Sequence, residues 1–190
     1  PFRLGSPPPF ATPDHRIVHM IISELIDTEF AYVHSLHYVI QHYVPELLRE
    51  DLPQQLRGQR ATVFGNLEKI YRFHVAQFLP QLRAGMEGGD SESLCLDVGR
   101  VFLDARREFH LYALYNKNKP KSDALMASVG AVFFRTKQLV LGDAMDLGSY
   151  LLKPVQRMGK YALLLAQLLK ACPPDDQEAG DVLRRAAGML

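Results

Sequence analysis

Apolar residues recur at helical spacing along most of this chain. From His15 onward, Val18, Ile22, Leu25, Val33, Leu36 and Ile40 follow one another by threes and fours, with one turn skipped at Glu29. That stripe predicts a long amphipathic helix, capped by Asp14 and ending near Tyr43, because Pro45 disfavours helical backbone at the residue before it. Residues 51–58 read as a connection. Val63, Leu67, Ile70, His74 and Phe78 then hold a second register that fades towards Pro80, and Gly85, Gly88 and Gly89 mark a loop. A third run covers about 94–116, with Val98, Phe102, Ala105, Phe109, Tyr112 and Tyr115 on one stripe. Pro120 and the polar residues of 116–121 predict a break, after which Ser122 can cap a fourth helix reaching about Val140. Beyond Gly142 a fifth segment carries Leu147 to Ala171, helical from about Pro154, and is stopped by Pro173 and Pro174. Its Pro154 is expected in a first turn, where a missing amide hydrogen costs nothing. A last helix starts near Asp175 or Asp176.

No stretch of period-two alternation and no Asn-Gly or Asp-Gly hairpin signal competes with these helices. The fold class is therefore all-α, and the length of the helices favours an elongated multi-helix bundle. Residues 1–13, with Pro7, Pro8 and Pro9 in succession, read as an extended Pro-rich lead-in, and one domain is expected over 14–190. The chain opens on Pro1, so it is expected to be a fragment of something longer.

Charge narrows the function classes. Lys and Arg number 22 against 21 Asp and Glu, so the formal net charge is +1. Nucleic-acid binders carry a basic excess to neutralise phosphates, and none is visible here. The small basic run Lys117, Lys119 and Lys121 could touch an anionic membrane surface, but reads more simply as a solvated loop. The only cysteines, Cys95 and Cys172, fit free thiols in a reducing, cytoplasmic setting, although a disulfide between them is compatible with the sequence. Apolar stretches such as 161–165 fall far short of the roughly 18 residues a membrane span needs, and no signal peptide is evident. His15 with His19, and His34 with His37, lack the third ligand that would complete a metal site and read as surface histidines. Phosphate-binding glycine loops are also missing, so nucleotide binding is not expected of the chain itself, and no Gly-x-Ser-x-Gly elbow presents a nucleophile.

Within the fifth segment, Val155, Met158, Ala162, Leu165 and Leu169 form an apolar stripe, and Lys153, Gln156, Arg157 and Lys160 a polar one. Any surface helix can show this. The string LLKPVQRMGKYALLLAQLLK, however, resembles the third conserved region of Dbl-homology domains, with nearly every patterned position filled. ELIDTEFAYVHSL, which begins at Glu24, is similar to the first region of that family, and FLDARREFHLYALYNKNKP, which begins at Phe102, to the second. The three occur in the family's order. Met-Gly before Lys160 and Leu-Gly-Ser-Tyr at 147–150 look most like the puratrophin-like branch.

The resemblance implies a guanine nucleotide exchange factor domain that binds the switch regions of a Rho-family small GTPase and stabilises its nucleotide-free state. Glu24 matches the acidic residue that engages switch I. Lys160 and Gln156 match residues that contact switch II and its surroundings, and Ser149 and Leu152 fall at positions that pack nearby. Lys153 and Arg157 are either part of that interface or structural partners of acids such as Glu29. No cofactor and no metal are implied, the domain is expected to be a monomer, and membrane contact is expected only through neighbouring domains. The family's Asn or Asp late in the last helix is expected beyond Leu190, which would leave that helix truncated. The rival reading is an exchange-inactive helical scaffold, which degeneration of Glu24 or Lys160 would have favoured; both are intact.

Overall fold

The computed structural model describes residues 13–87 and 93–190, and every regular element among them is helical. The lead-in over residues 1–12, Gly88, Gly89 and the side chain of the expected cap Asp14 lie outside the described residues. The chain divides into two compact units. One gathers the chain up to Ala31, Phe73–Phe109 and Arg157–Leu190; the other gathers Tyr32–Arg72 and His110–Gln156. Helices α1 (Pro13–His42) and α8 (Leu147–Ala171) each contribute a part to both.

In the first unit, α1 buries Val18, Ile22 and Leu25, as the stripe predicts, and Ile26 beside them. A widened, π-helical turn at His74–Phe78 leads into α4 (Leu79–Glu87), followed by α5 (Leu94–Asp104) and, after α8, by α9 (Gln177–Met189). Phe73, Phe78, Phe102, Phe109 and Tyr161 pack mostly edge to face; Phe78 and Phe102, for example, stand 5.0 Å apart. Asp176 caps α9 by accepting the Ala179 amide hydrogen at 3.0 Å. Cys95 and Cys172 are free and buried, and burial pushes the Cys95 thiol up to about 12, which leaves little reactive thiolate.

The second unit contains two short 3-10 turns, Val44–Leu48 and Gln54–Leu56, then α2 (Arg60–Phe64) and most of α3 (Leu67–Phe73). It also holds α6 (His110–Leu125), a second π-helical turn at Met126–Gly130 and α7 (Ala131–Leu141). Gly142, at φ 68, ends α7: its amide bonds the Leu139 carbonyl and the Asp143 amide bonds the Gln138 carbonyl, a Schellman stop. Asp143 is then tied down by the hydroxyls of Tyr38 and Tyr43 at 2.7 and 2.6 Å.

Several expected stops are not stops. The second run continues through Pro80 and Gly85 to Glu87, because the π turn, in which the Leu79 amide reaches back to the His74 carbonyl, makes room for the Pro80 ring. That same run is broken earlier, at Gly65, whose φ of 56 only glycine adopts readily. The third run is interrupted at 105–109, yet Ala105, Phe109 and Tyr112 are all buried, so their register survives the turn. Pro120 lies inside α6, and Ser122 is no cap: it is buried and donates to the Val63 carbonyl at 2.6 Å. Asn118 likewise donates to the Thr62 carbonyl, so tertiary anchoring overrides the propensity penalty of about 3 kcal/mol for an internal proline. Lys117, Lys119 and Lys121 are therefore helical rather than a loop. The path from His110 to Leu141 is, by length and composition, long and apolar enough to cross a membrane. Along it Tyr112, Tyr115, Met126 and Phe134 are buried.

Candidate functional site

Helix α8 starts earlier than Pro154. Asp146 accepts the Ser149 amide at 2.8 Å and fixes the first turn, and hydrogen bonds from the Ser149 hydroxyl and amide hold its carboxyl below the usual range. Pro154 is thus internal and withdraws one donor from the ladder. The Tyr115 hydroxyl donates to the neighbouring Leu151 carbonyl at 2.5 Å and supplies a donor beside the gap.

The face that α8 buries is only partly the expected one: Leu165 is buried as the stripe predicts, and the rest is shifted. Leu151, Pro154, Arg157, Tyr161, Leu164 and Leu168 point inward, whereas Ala162 is exposed and Val155 and Met158 are half-buried. The expected polar stripe consequently splits. Arg157 turns into the first unit, and Gln156 stays outside. What allows a guanidinium inside is the skipped turn of α1. Glu29 is fully buried, and Arg157 meets its Oε2 through Nη2 at 2.7 Å and Nε at 3.2 Å. Arg157 also donates to Thr28 Oγ1 at 2.8 Å and to the Leu25 carbonyl at 3.3 Å, and lies over the Tyr161 ring at 4.4 Å. Glu29 accepts further bonds from the Tyr161 hydroxyl and pairs with His74 Nδ1, each at 2.5 Å.

Burial alone would raise the Glu29 pKa. His74, Arg157 and the Tyr161 hydroxyl outweigh it and hold the carboxyl at about 2. Burial likewise works to lower the Arg157 pKa, but Tyr161 and Glu29 raise it. Both charges are therefore kept, and of the two structural-or-interface candidates Arg157 is the structural partner of Glu29. Lys153 finds no acid among the described residues. In the second unit it donates to Ser35 Oγ at 2.9 Å and stands 5.6 Å over the Tyr150 ring, with burial lowering its pKa.

On the outer side of the first unit, Lys160 Nζ meets Glu24 Oε1 at 2.5 Å. This pair is solvent-accessible, at 34% and 46%. The two pairs are coupled through Thr28, whose hydroxyl accepts from Arg157 and donates to the Glu24 carbonyl at 2.7 Å. The second unit carries the other expected positions: Ser149 and Gln156 are exposed, and Leu152 is 41% exposed. Gln156 has no side-chain partner among the described residues. Ser149, Leu152, Gln156 and Lys160 follow at intervals of three and four along α8, so one helical face carries all four. Nothing in this arrangement pairs a nucleophile with a base. No group of three or more His, Cys, Asp or Glu able to hold a metal occurs among the described residues. The first unit thus exposes a carboxylate and an ammonium, Glu24 and Lys160, and the second an amide and an apolar side chain, Gln156 and Leu152.

The profile of the RhoGEF domain matches residues 21–189. The chain belongs to the RhoGEF family. Within that family, Puratrophin-1 of Homo sapiens is 48% identical over 186 residues, covering 97% of this chain and 15% of that protein. Pleckstrin homology domain-containing family G member 4B of Homo sapiens is 52% identical over 173 residues, covering 90% of this chain and 10% of that protein. The chain thus spans a small fraction of the relatives it matches, and both agree with the branch its motifs resemble. Among solved structures, a Vav1 exchange factor containing PH and C1 domains superposes with a TM-score of 0.76 at 24% identity, over 93% of this chain and 47% of that one. The DH/PH fragment of PDZRHOGEF, solved in complex with human RhoA, superposes with a TM-score of 0.64 at 18% identity, over 95% of this chain and 52% of that one. The RhoGEF fold is common to all.

Proposed function

We propose that this RhoGEF domain accelerates GDP release from a Rho-family small GTPase by binding its switch regions and stabilising the nucleotide-free state. The observation that carries the reading is the accessible Glu24–Lys160 pair, held over a buried Glu29–Arg157 anchor in a chain of this family. The solved complex of a related DH/PH fragment with RhoA supports the class of partner.

No covalent step is required. A protein that binds the empty GTPase more tightly than the loaded one must, by linkage, weaken nucleotide affinity by the same factor. Glu24 supplies an acceptor for the hydroxyl and amide donors of switch I, and its exchange of Lys160 for those donors costs little because the pair is hydrated. Lys160, released from Glu24, donates to carbonyls and acids of switch II, with Gln156, Ser149 and Leu152 completing the contact along α8. The domain acts as a monomer in the cytoplasm and needs no cofactor.

The test is release of fluorescent GDP from a panel of Rho-family GTPases by the wild-type domain and by Glu24→Ala and Lys160→Ala. Acceleration on at least one GTPase should fall about thirtyfold in each variant, the effect of removing about 2 kcal/mol of partner contact. No acceleration across the panel, even with a longer chain reaching past Leu190, would reject exchange and leave a binding scaffold.

A further inference from the structure

A second feature lies in the second unit, away from every residue given a role in exchange. A cavity of about 440 Å³ opens between α2, α3 and α6. Its walls include Val44, Phe64 and Leu114, and its cations are Arg60, Lys69 and Arg72. Phe64 is buried at the floor, whereas Leu114 is 59% exposed. The one acid lining it, Glu68, is bound to Arg60. Lys69 and Arg72 are exposed, with no partner among the described residues.

Helix α6 extends the charge. Leu114 and Asn118 line the cavity, and Lys117 and Lys121 follow on the adjoining turns, both exposed. Lys119 points elsewhere and pairs with Asp123. Beside the Arg60–Glu68 pair, Lys69, Arg72, Lys117 and Lys121 make a local excess of four cations that the net charge of +1 conceals.

We propose that this cavity binds a phosphorylated polyol headgroup, presented by a lipid or free in solution. The chemistry follows from the donors. The Arg72 guanidinium offers a planar fork that matches phosphate oxygens, and the lysines add mobile point charges. Each contact is solvent-screened and weak alone, so only a compact ligand with several negative charges engages enough of them at once. The apolar walls of Phe64, Val44 and Leu114 accommodate the carbon face of a ring. A concave site of this size favours such a ligand over an extended acidic peptide.

Calorimetric titration with inositol hexakisphosphate and inositol trisphosphate tests the free form. Co-sedimentation with phosphatidylcholine vesicles, carrying either phosphatidylinositol bisphosphate or phosphatidylserine at equal charge, tests the lipid form. Saturable one-to-one binding of a free headgroup is expected, weakened about tenfold or more by Lys69→Glu/Arg72→Glu. The exposed control Lys170→Glu/Arg185→Glu should change it less than about twofold. Lys69→Gln/Arg72→Gln should give an intermediate loss with unchanged thermal melting, which separates binding from folding. Absence of saturable headgroup binding overturns the proposal, as does an equal loss in pocket and control variants. Binding to phosphatidylserine vesicles without binding to free headgroups would mean diffuse adsorption to a membrane and also reject the cavity. Tighter binding of a glutamate-rich peptide than of either headgroup would reject the ligand class.

Discussion

Two ion pairs join the same two helices of the first unit and differ in almost everything else. Glu29 and Arg157 are buried, at 0% and 5% exposure, and share a network with His74, Tyr161 and Thr28. Glu24 and Lys160, a turn or so away along each helix, form a single accessible contact. The difference separates two tasks that sequence motifs fuse. A carboxylate without water must have its lone pairs satisfied inside the protein, which makes it costly to disturb and fixes its neighbours. A hydrated carboxylate keeps a partner loosely and can exchange it for another.

Breaking the buried pair gives the largest expected effect. Glu29→Ala or Arg157→Ala leaves an unpaired charge in a dry site and should lower unfolding free energy by about 3–5 kcal/mol, read from urea denaturation. Glu29→Leu/Arg157→Met removes both charges and should recover a good part of that loss. If the double variant is as unstable as the sum of the singles, the pair is not one energetic unit.

Acid offers a second route to the same contact. The folded Glu29 carboxyl titrates at about 2, below its ordinary value of 4.5, so the stability it contributes is complete above about 4.5 and is lost as pH falls towards 2. The shift corresponds to about 3 kcal/mol. Urea midpoints between neutral and acid pH should therefore fall less steeply for Glu29→Gln than for wild type. Parallel curves would show that Glu29 carries no such shift.

These contrasts also show what the sequence could reveal. The two polar interruptions of otherwise apolar stripes, Glu29 in α1 and His74 in the second run, are the two residues that meet inside the first unit. A titratable residue at a core register position was the available signal, and it applies equally to Arg157 once α8 is aligned on Tyr161 rather than Val155. Helix α1 was legible from its period and the start of α9 from its cap, whereas α8 was legible as a helix but not in its first turns or its buried face. The prolines misled. Pro80, Pro120 and Pro154 look like boundaries because their local cost is certain, whereas the π turn and the anchors that offset it, such as Ser122 on Val63 and Tyr115 on Leu151, come from residues distant in sequence. Glu24 and Lys160 were singled out by family resemblance alone; periodicity gives them no distinction from other exposed charges.

Thr28 connects the two pairs and sharpens the comparison at smaller scale. Thr28→Val keeps the shape of the side chain but removes the acceptor of Arg157 and the bond to the Glu24 carbonyl. The expected cost is about 1 kcal/mol of stability. Exchange should fall severalfold as the turn that carries Glu24 loosens, and Thr28→Ser should restore both. A loss of stability with exchange untouched would confine Thr28 to the buried network.

The smallest effect belongs to the accessible pair itself. In a double-mutant cycle on folding, Glu24→Ala and Lys160→Ala should couple by about 0–1 kcal/mol, because two hydrated side chains exchange one set of water contacts for a single ion pair and lose rotamer freedom in doing so. Added salt should shrink that coupling further, whereas the Glu29–Arg157 coupling, removed from solvent, should change little. A folding coupling for Glu24–Lys160 as large as that of the buried pair would mean that the contact is a structural clasp. Opening it for a partner would then cost as much as breaking the core, which is incompatible with its use as an exchangeable surface.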